Sequence, residues 1–321
     1  MVLPPARLRR LVGDLRQVGS VRRVVMADGL EAGVEALVFS TGGGLDFWVT
    51  AGRMLDIATL SWRGVQLGWQ SPAGFRLPPE GIDPERRFNA GFGGFLNTCG
   101  FDHIRQPAGG HSLHGSAPFT PARLTGHGED WDAEEPVLFC EGEIVAWAYG
   151  AGGYRLRRRI EAPIGGRTIR LRDTVDVVGA EALAVLALYH FNLGFPAIDE
   201  TTRLFLDGRR IAGPLELPSP GAPGPSVLHE ARGEWASCCV TGGEIIEFRW
   251  RTDALPWLQL WQDLRPGCGV LSVEPCSAGR RSDGSNEVTP LLAPGEKRSF
   301  AIDVVVGGTD DPATNAPNRE T

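Results

Sequence analysis

Strict alternation of apolar and polar residues is the feature that most constrains the fold of this chain. In residues 168–178, TIRLRDTVDVV, the side chains of Ile169, Leu171, Val175 and Val177 share one face of an extended strand, and charged or hydroxyl side chains occupy most of the other face. Comparable runs predict further strands at 34–39, 54–60, 65–69, 136–149, 235–240, 244–250, 257–262, 269–274 and 298–306. The chain is therefore expected to be all-β.

Helical periodicity is nearly absent, and residues 6–18 form the one fair candidate for a helix. The 43 glycines and 24 prolines indicate frequent turns, which suit many short strands in a large sandwich or barrel. We expect a single domain over residues 1–307, in which residues 1–20 are a partly helical N-terminal segment. The polar stretch 308–321 is expected to be a flexible tail.

Composition narrows the classes of partner. A net charge of -7 argues against nucleic acid, because phosphate binding needs a concentrated basic surface. No apolar run approaches the roughly 20 residues that cross a bilayer, so no membrane association is expected. The N-terminus lacks the pattern of a signal peptide, and the six cysteines show no CxxC pairing, so we predict a cytoplasmic protein with free thiols. Edge strands could pair across a homodimer or be covered by the N-terminal segment.

Several polar residues stand where buried strands end. The apolar strand that begins at Leu183 runs into His190 and Asn192, directly before Gly194. Glu274 follows an apolar strand and precedes a proline. A carboxylate at that position is expected to lose its solvent, which raises its pKa and suits it to act as a base near neutrality.

Histidine is scarce, with six in the chain, and unevenly placed. His103, His111, His114 and His127 fall close together in a glycine-rich region. His190 lies far from them in sequence, at the end of its strand. Taken singly, each of these residues is also compatible with a structural role in which its hydrogen bonds are made within the fold.

Three short motifs resemble the aldose 1-epimerase (galactose mutarotase) superfamily. They are SLHGS at 112–116, LYHFNLGFP at 188–196 and LSVEPCS at 271–277, and their order along the chain matches that of the superfamily. In those enzymes a Leu-His-Gly loop, a His-x-Phe-Asn-Leu strand end and a glutamate on a late strand converge in one cleft.

The chain resembles one subfamily more closely, a domain of unknown function with an aldose-epimerase-like fold. The marks of that subfamily correspond here to GRMLDIATLSWRGVQLGWQSP at 52–72, to the GG-x-x-x-TCG-x-x-H segment at 93–103 and to LAPGE at 292–296. The resemblance covers most of the chain. It implies a β-supersandwich of the galactose mutarotase-like type, with little helix and with a sugar bound in an open cleft.

The resemblance also implies a reaction, the interconversion of sugar anomers by acid–base opening of the ring. Glu274 would be the general base and His190 the general acid, because the unperturbed pKa of histidine, near 6.5, lets it donate a proton at cytoplasmic pH. His114 would bind the substrate and help to polarise the ring oxygen or a neighbouring hydroxyl. No metal ion or organic cofactor is needed for this chemistry, and the partner would be a small carbohydrate.

The residues that would bind sugar hydroxyls depart from the superfamily pattern. Mutarotases carry an Asn-Arg pair before the Leu-His-Gly loop, whereas this chain reads LNTCGFDHIR there. Asn97, His103 and Arg105 are therefore proposed as replacements. Asn192 is a further candidate, as is Arg53, which with Asp56 could instead form a structural ion pair.

Two alternatives to an epimerase remain open at this stage. A carbohydrate-binding or sensing protein would keep the cleft without the chemistry. A metal-dependent sugar isomerase or lyase would use His103, His111 and His114 as ligands, since histidine is a common metal ligand.

Overall fold

A computed structural model describes residues 4–78 and 81–307 of the chain. The predicted flexible tail, residues 308–321, lies outside the described residues. Twenty-one β-strands dominate the part of the chain that is described, and every pairing between them is antiparallel. None of the helices described is long and apolar enough to cross a membrane.

The strands of the first half of the chain are β1 (Ser20–Val25), β2 (Glu35–Ser40), β3 (Leu45–Thr50), β4 (Asp56–Trp62), β5 (Val65–Gln66), β6 (Leu96–Phe101), β7 (Arg123–Asp130), β8 (Val137–Ala148) and β9 (Gly152–Pro163). Those of the second half are β10 (Thr168–Val178), β11 (Leu183–Ala184), β12 (Leu186–Leu193), β13 (Arg203–Leu206), β14 (Arg209–Ala212), β15 (Val227–Glu230), β16 (Trp235–Thr241), β17 (Ile246–Arg251), β18 (Trp257–Asp263), β19 (Val270–Cys276), β20 (Leu291–Leu292) and β21 (Lys297–Val306). Every run predicted from alternation overlaps one of these strands, so the all-β prediction is confirmed.

Three sheets and a short ribbon organise these strands. A five-stranded sheet has the order β1-β2-β3-β4-β5, and a nine-stranded sheet has the order β14-β13-β16-β17-β21-β10-β9-β8-β7. The third sheet, here called the site sheet, has the order β15-β18-β19-β12-β6. Strands β11 and β20 pair as a separate ribbon.

Helix is confined to short pieces, and here the sequence prediction was partly wrong. The expected helix at 6–18 is only α1 (Pro5–Leu8) followed by a 3-10 turn at Leu15–Gln17. Asp14 interrupts it, because its side chain accepts a hydrogen bond from the backbone N–H of Arg16 and so starts a new turn. A second helix, α2 (Pro84–Gly91), was not predicted.

The two faces of β12 have different surroundings. Tyr189 and Phe191 point toward the nine-stranded sheet, where their rings lie 5.9 Å from Phe300 and 5.1 Å from Phe248. Leu188 belongs to a smaller apolar cluster, and with His190 it lies on the opposite face. The period of two in the sequence thus separates the core face of the site sheet from its cavity face.

A cluster of buried polar side chains joins the nine-stranded sheet, the site sheet and strand β4. Arg158 of β9 donates hydrogen bonds to Asp173, to Asp56 and to the hydroxyl of Thr98, at 2.7 to 2.9 Å. The hydroxyl of Tyr189 donates to Asp173 at 2.7 Å. We call these five residues the inter-sheet network.

Candidate active site

Four polar side chains form a row across the cavity face of the site sheet. Asn97 of β6 is paired with His190 of β12, and Gln259 of β18 is paired with Glu274 of β19. Between β12 and β19, Leu188 is paired with Cys276 and Phe191 with Val273, and this register brings His190 opposite Glu274. Directly opposed residues on adjacent strands project to the same side of a sheet, so the register alone brings these four together. We call them the site row.

His190 and Glu274 meet at the centre of the site row. His190 Nε2 lies 3.4 Å from Glu274 Oε1, and the two residues are 3% and 0% exposed. Among the described residues Glu274 Oε1 has no hydrogen-bond partner, whereas Oε2 accepts one from Gln259 Nε2. Burial raises the pKa of Glu274 to about 8, despite the opposing effects of Gln259 and Arg105. The carboxyl group is therefore poised to exchange a proton near neutral pH.

Hydrogen bonds fix the tautomer of His190. The amide of Asn192 donates through Nδ2 to the carbonyl of Gly94 at 2.9 Å, so its Oδ1 must face the imidazole. His190 Nδ1 lies 2.6 Å from that oxygen and is therefore the protonated nitrogen. In the neutral ring, Nε2 keeps a lone pair directed at Glu274. Burial lowers the pKa of His190 to about 4, although the bond to Asn192 opposes this shift.

The third predicted catalytic residue, His114, sits on a tightly turned loop. Its backbone is left-handed, with φ of 62°, and is held by bonds from His114 N to Arg105 O and from Gly100 N to His114 O, at 2.8 and 3.0 Å. A Cβ on Gly115 would lie 2.4 Å from the His103 carbonyl oxygen, so the Leu-His-Gly turn requires glycine there. The ring of His114 lies 5.5 Å from that of His190. Burial holds the pKa of His114 well below its usual value, so this ring is neutral.

These groups lie in one cavity of about 1130 Å³. Its walls include His103, Arg105, His114, His190, Gln259 and Glu274. Aromatic rings complete the wall near the histidines. The ring centroid of Phe88 lies 4.5 Å from that of His114, and the ring centroids of Phe92 and Trp261 lie 5.2 and 5.9 Å from that of His190. The structure therefore brings the three predicted catalytic residues together.

Three of the predicted substrate-binding residues do not line this cavity. Asn97 and Asn192 lie beside His190, where Asn192 Nδ2 donates to Asn97 Oδ1 at 3.2 Å and Asn97 Nδ2 donates to Gly93 O at 3.3 Å. Both are at most 1% exposed. Their amides are occupied in holding the histidine and the adjacent loop, so the structure gives them a positioning role.

Arg53 also lies away from the cavity. Its guanidinium donates to the carbonyls of Gly91 and Gly93, at 2.6 and 3.0 Å, and stacks over Phe119 with its Cζ 4.9 Å from the ring centroid. It does not make the ion pair with Asp56 that the sequence suggested, because Asp56 is bound by Arg158. Arg53 instead anchors the end of α2, the helix that carries Phe88 and leads directly to Phe92.

His103 and Arg105 do line the cavity, but both are engaged. His103 Nε2 lies 2.7 Å from the Gln106 carbonyl oxygen and its ring stacks on that of His111. The nitrogen Nδ1 of His111 pairs with Asp102 at 3.2 Å. Within residues 4–78 and 81–307, no group of three or more histidine, cysteine, aspartate or glutamate side chains could hold a metal ion. His103, His111 and His114 are therefore not arranged as a set of metal ligands in this region.

Sequence reasoning missed Gln259, Phe88 and Phe92. A signal for Gln259 exists, since WLQLWQD places a glutamine on the same strand face as two tryptophans. Phe88 and Phe92 belong to α2 and the residue after it, whose sequence has no pattern that relates it to the site.

Comparisons with known proteins agree with this architecture. The profile of a family described as "Domain of unknown function (DUF4432)" matches residues 31–216. The chain belongs to this family. No curated protein matches the DUF4432 chain at a significant level.

Solved structures identify the fold. A Klebsiella pneumoniae protein provisionally called an aldose 1-epimerase superimposes with a TM-score of 0.79 at 18% identity, covering 96% of this DUF4432 chain and 88% of that chain. A galactose mutarotase-like protein from Clostridium acetobutylicum gives 0.61 at 10% identity, over 89% and 98%. Galactose 1-epimerase from Lactobacillus acidophilus gives 0.58 at 10% identity, also over 89% and 98%. The fold is therefore that of the galactose mutarotase-like β-supersandwich, as predicted.

Proposed function

We propose that this protein is an aldose 1-epimerase-like enzyme that interconverts the anomers of a sugar by general acid–base catalysis. The observation that carries the proposal is the directly opposed, buried pair of His190 and Glu274 at the wall of a cavity, with one carboxyl oxygen unpartnered. Perturbed titratable groups that face one another in a cavity are typical of catalytic sites.

Opening a cyclic hemiacetal needs two proton transfers. A base removes the proton from the C1 hydroxyl while an acid protonates the ring oxygen, and the C1–ring oxygen bond breaks. After rotation about the C1–C2 bond, the reverse transfers close the ring on the other face of the aldehyde. The pair begins and ends each cycle with one proton, so a single shared proton is sufficient.

The pKa values of the pair give it that single proton between about pH 4 and about pH 8. When no sugar is bound, burial places the proton on Glu274. A sugar hydroxyl that donates to Glu274 Oε1 would favour the carboxylate, and the proton would then move to His190 Nε2, 3.4 Å away. Glu274 is then the base and His190 the acid for ring opening.

His114 complements this pair without adding charge. Its Nδ1 faces the backbone N–H of Arg105 at 3.4 Å, so Nε2 carries the proton of the neutral ring. That N–H can donate to the ring oxygen or to a neighbouring hydroxyl. The faces of Phe92 and Trp261 offer apolar surface for the C–H face of a sugar.

The test is a screen of aldoses by polarimetry or exchange NMR. The wild-type protein should accelerate anomer exchange of at least one sugar, and Glu274→Gln should reduce kcat by about 10²- to 10⁴-fold, the usual contribution of a positioned acid or base. The matched control is Glu230→Gln, the same change at an exposed position on β15, which should leave the rate unchanged.

Two results would contradict the proposal. Absence of acceleration with every sugar in a broad panel would reject it, and sugar binding without turnover would favour a carbohydrate-binding protein. An acceleration that persists in Glu274→Gln would show that a different group carries the proton.

A further inference from the structure

Arg105 is the most completely bonded side chain near the site, although it lines the cavity. Its Nε donates to Gln259 Oε1 at 2.7 Å. Its two terminal nitrogens donate to the carbonyls of Ala278 and Gly279 and to the side chain of Asn286, at 2.6, 3.2 and 2.6 Å, and contact Cys276 Sγ at 3.3 Å. No donor remains for a sugar hydroxyl. The guanidinium instead joins the loop between β6 and β7, which carries His103 and His114, to the segment that follows β19.

The contact between Arg105 and Gln259 determines how the glutamine amide is oriented. A guanidinium has donors and no acceptor, so the oxygen of the amide must face Arg105. Gln259 Nε2 is then directed at Glu274 Oε2, which must accept its hydrogen bond. When Glu274 is protonated, its proton is therefore on Oε1, the oxygen that has no partner and faces His190.

We propose that Arg105 is a positioning residue that acts through Gln259 to assign the two oxygens of Glu274, one to accept a fixed hydrogen bond and the other to exchange a proton with the substrate. This inference rests on the proposed function, in that it takes Glu274 as the group that transfers the proton. It replaces the role suggested by the sequence, in which Arg105 would contact the sugar.

The arrangement has a counterpart on the other side of the pair. Asn192 donates to the carbonyl of Gly94, and this bond orients its amide so that it fixes the tautomer of His190. In the same way Gln259 accepts from Arg105, and this bond orients its amide so that it fixes which oxygen of Glu274 is protonated. Both amides lie beside the reacting atoms and determine which atom is free. A lysine could not replace Arg105, because its ammonium group cannot reproduce the planar fork of donors that reaches both Gln259 and the segment after β19.

The decisive measurement is the pKa of Glu274 itself, followed by NMR in protein labelled with carboxyl-¹³C glutamate. The resonance is assigned by its absence from Glu274→Gln. The titratable and charged groups that interact with this carboxyl are His190 from β12, at 3.4 Å, and, electrostatically, Arg105 and the thiols of Cys99 and Cys276. Titrating the carboxyl directly keeps this test separate from any assay of turnover.

Gln259→Met removes the donor at nearly constant volume. It should raise the pKa of Glu274 by about one pH unit or more, since a hydrogen bond to a charged group stabilises the ionised form. Gln262→Met, the same change at an exposed position of the same strand, should leave that pKa unchanged. An unaltered pKa in folded Gln259→Met would overturn the inference.

Arg105→Lys then tests the relay, because it keeps the charge and removes the fork. It should raise the pKa of Glu274 in the wild-type background and have little further effect in Gln259→Met. Equal shifts in both backgrounds would show that Arg105 does not act through Gln259, and would overturn the proposal.

Gln259→Glu supplies the same test without altering Arg105, should Arg105→Lys fail to fold. Arg105 would hold the new carboxylate ionised beside Glu274, so the pKa of Glu274 should rise further than in Gln259→Met. A smaller rise would count against the relay. If wild-type protein turned over no sugar while these shifts were observed, the proposed function would fail and the assignment of the oxygens would stand.

Discussion

The inter-sheet network and the site row share strands β6 and β12, which contribute side chains to the two clusters from opposite faces, yet the clusters treat buried polar groups differently. Thr98 and Tyr189 of the network are sequence neighbours of Asn97 and His190 of the site row. In the network, Asp173 accepts on both oxygens and Arg158 donates from all three nitrogens. In the site row, Glu274 Oε1 finds no hydrogen-bond partner within residues 4–78 and 81–307.

Charge explains the difference in energetic terms. Burial lowers the pKa of Arg158, but Asp173 and Asp56 more than offset it, so the guanidinium stays charged. In the part of the chain that the structure describes, no cation contacts Glu274 directly, so burial prevails and raises its pKa to about 8. A buried polar group with complete partners avoids the cost of an unmade hydrogen bond, whereas one left incomplete costs stability and is retained where chemistry needs a free atom.

The largest expected effect comes from breaking the network. Arg158→Met should lower the free energy of unfolding by about 3–5 kcal/mol, because it leaves two buried aspartates without their cation. Arg157→Met is the matched control on the adjacent residue, whose partly exposed ion pair with Asp176 should contribute no more than about 1 kcal/mol. Urea denaturation measures both, and equal losses would contradict the contrast between interior and surface.

A change in the site row should have the opposite sign. Glu274→Gln should raise the free energy of unfolding by about 3 kcal/mol at pH 7, since the folded pKa of about 8 exceeds the ordinary value of 4.5. Glutamine keeps the shape, accepts from Gln259 and can donate to His190 Nε2. The variant should thus be more stable and less active.

The pH dependence of this gain in stability tests independently whether the carboxyl group of Glu274 causes it. Below about pH 4.5 the glutamate is protonated in both the folded and unfolded states, so the variant should gain nothing there. The gain should grow as the pH rises to about 8 and then level off. Denaturation of both proteins across this range measures it, and a gain that is constant with pH would show that the carboxyl group is not its source.

Much of the site follows from local pattern, and the rest depends on long-range contacts. Alternation along β12 and β19 places His190 and Glu274 on the face away from the core, and antiparallel pairing then lets them meet. The partner of Asp56 is a residue 102 positions away, and Gln259 is 154 positions from Arg105, so no local pattern indicates either contact. Helix α2 was missed for a similar reason: its end is held by Arg53 rather than by an apolar stripe of its own.

The smallest expected effect tests whether the two faces of β12 are independent. Tyr189→Phe removes one hydrogen bond from the network, but Asp173 Oδ2 still accepts from Arg158 at 2.7 Å, so no buried oxygen is orphaned. The loss in the free energy of unfolding should be about 1 kcal/mol. Because the phenol points away from the cavity, anomer exchange should proceed at the wild-type rate. A tenfold slower rate at unchanged fold would instead show that the network adjusts His190 through the strand they share, and the two clusters would then have to be treated as one.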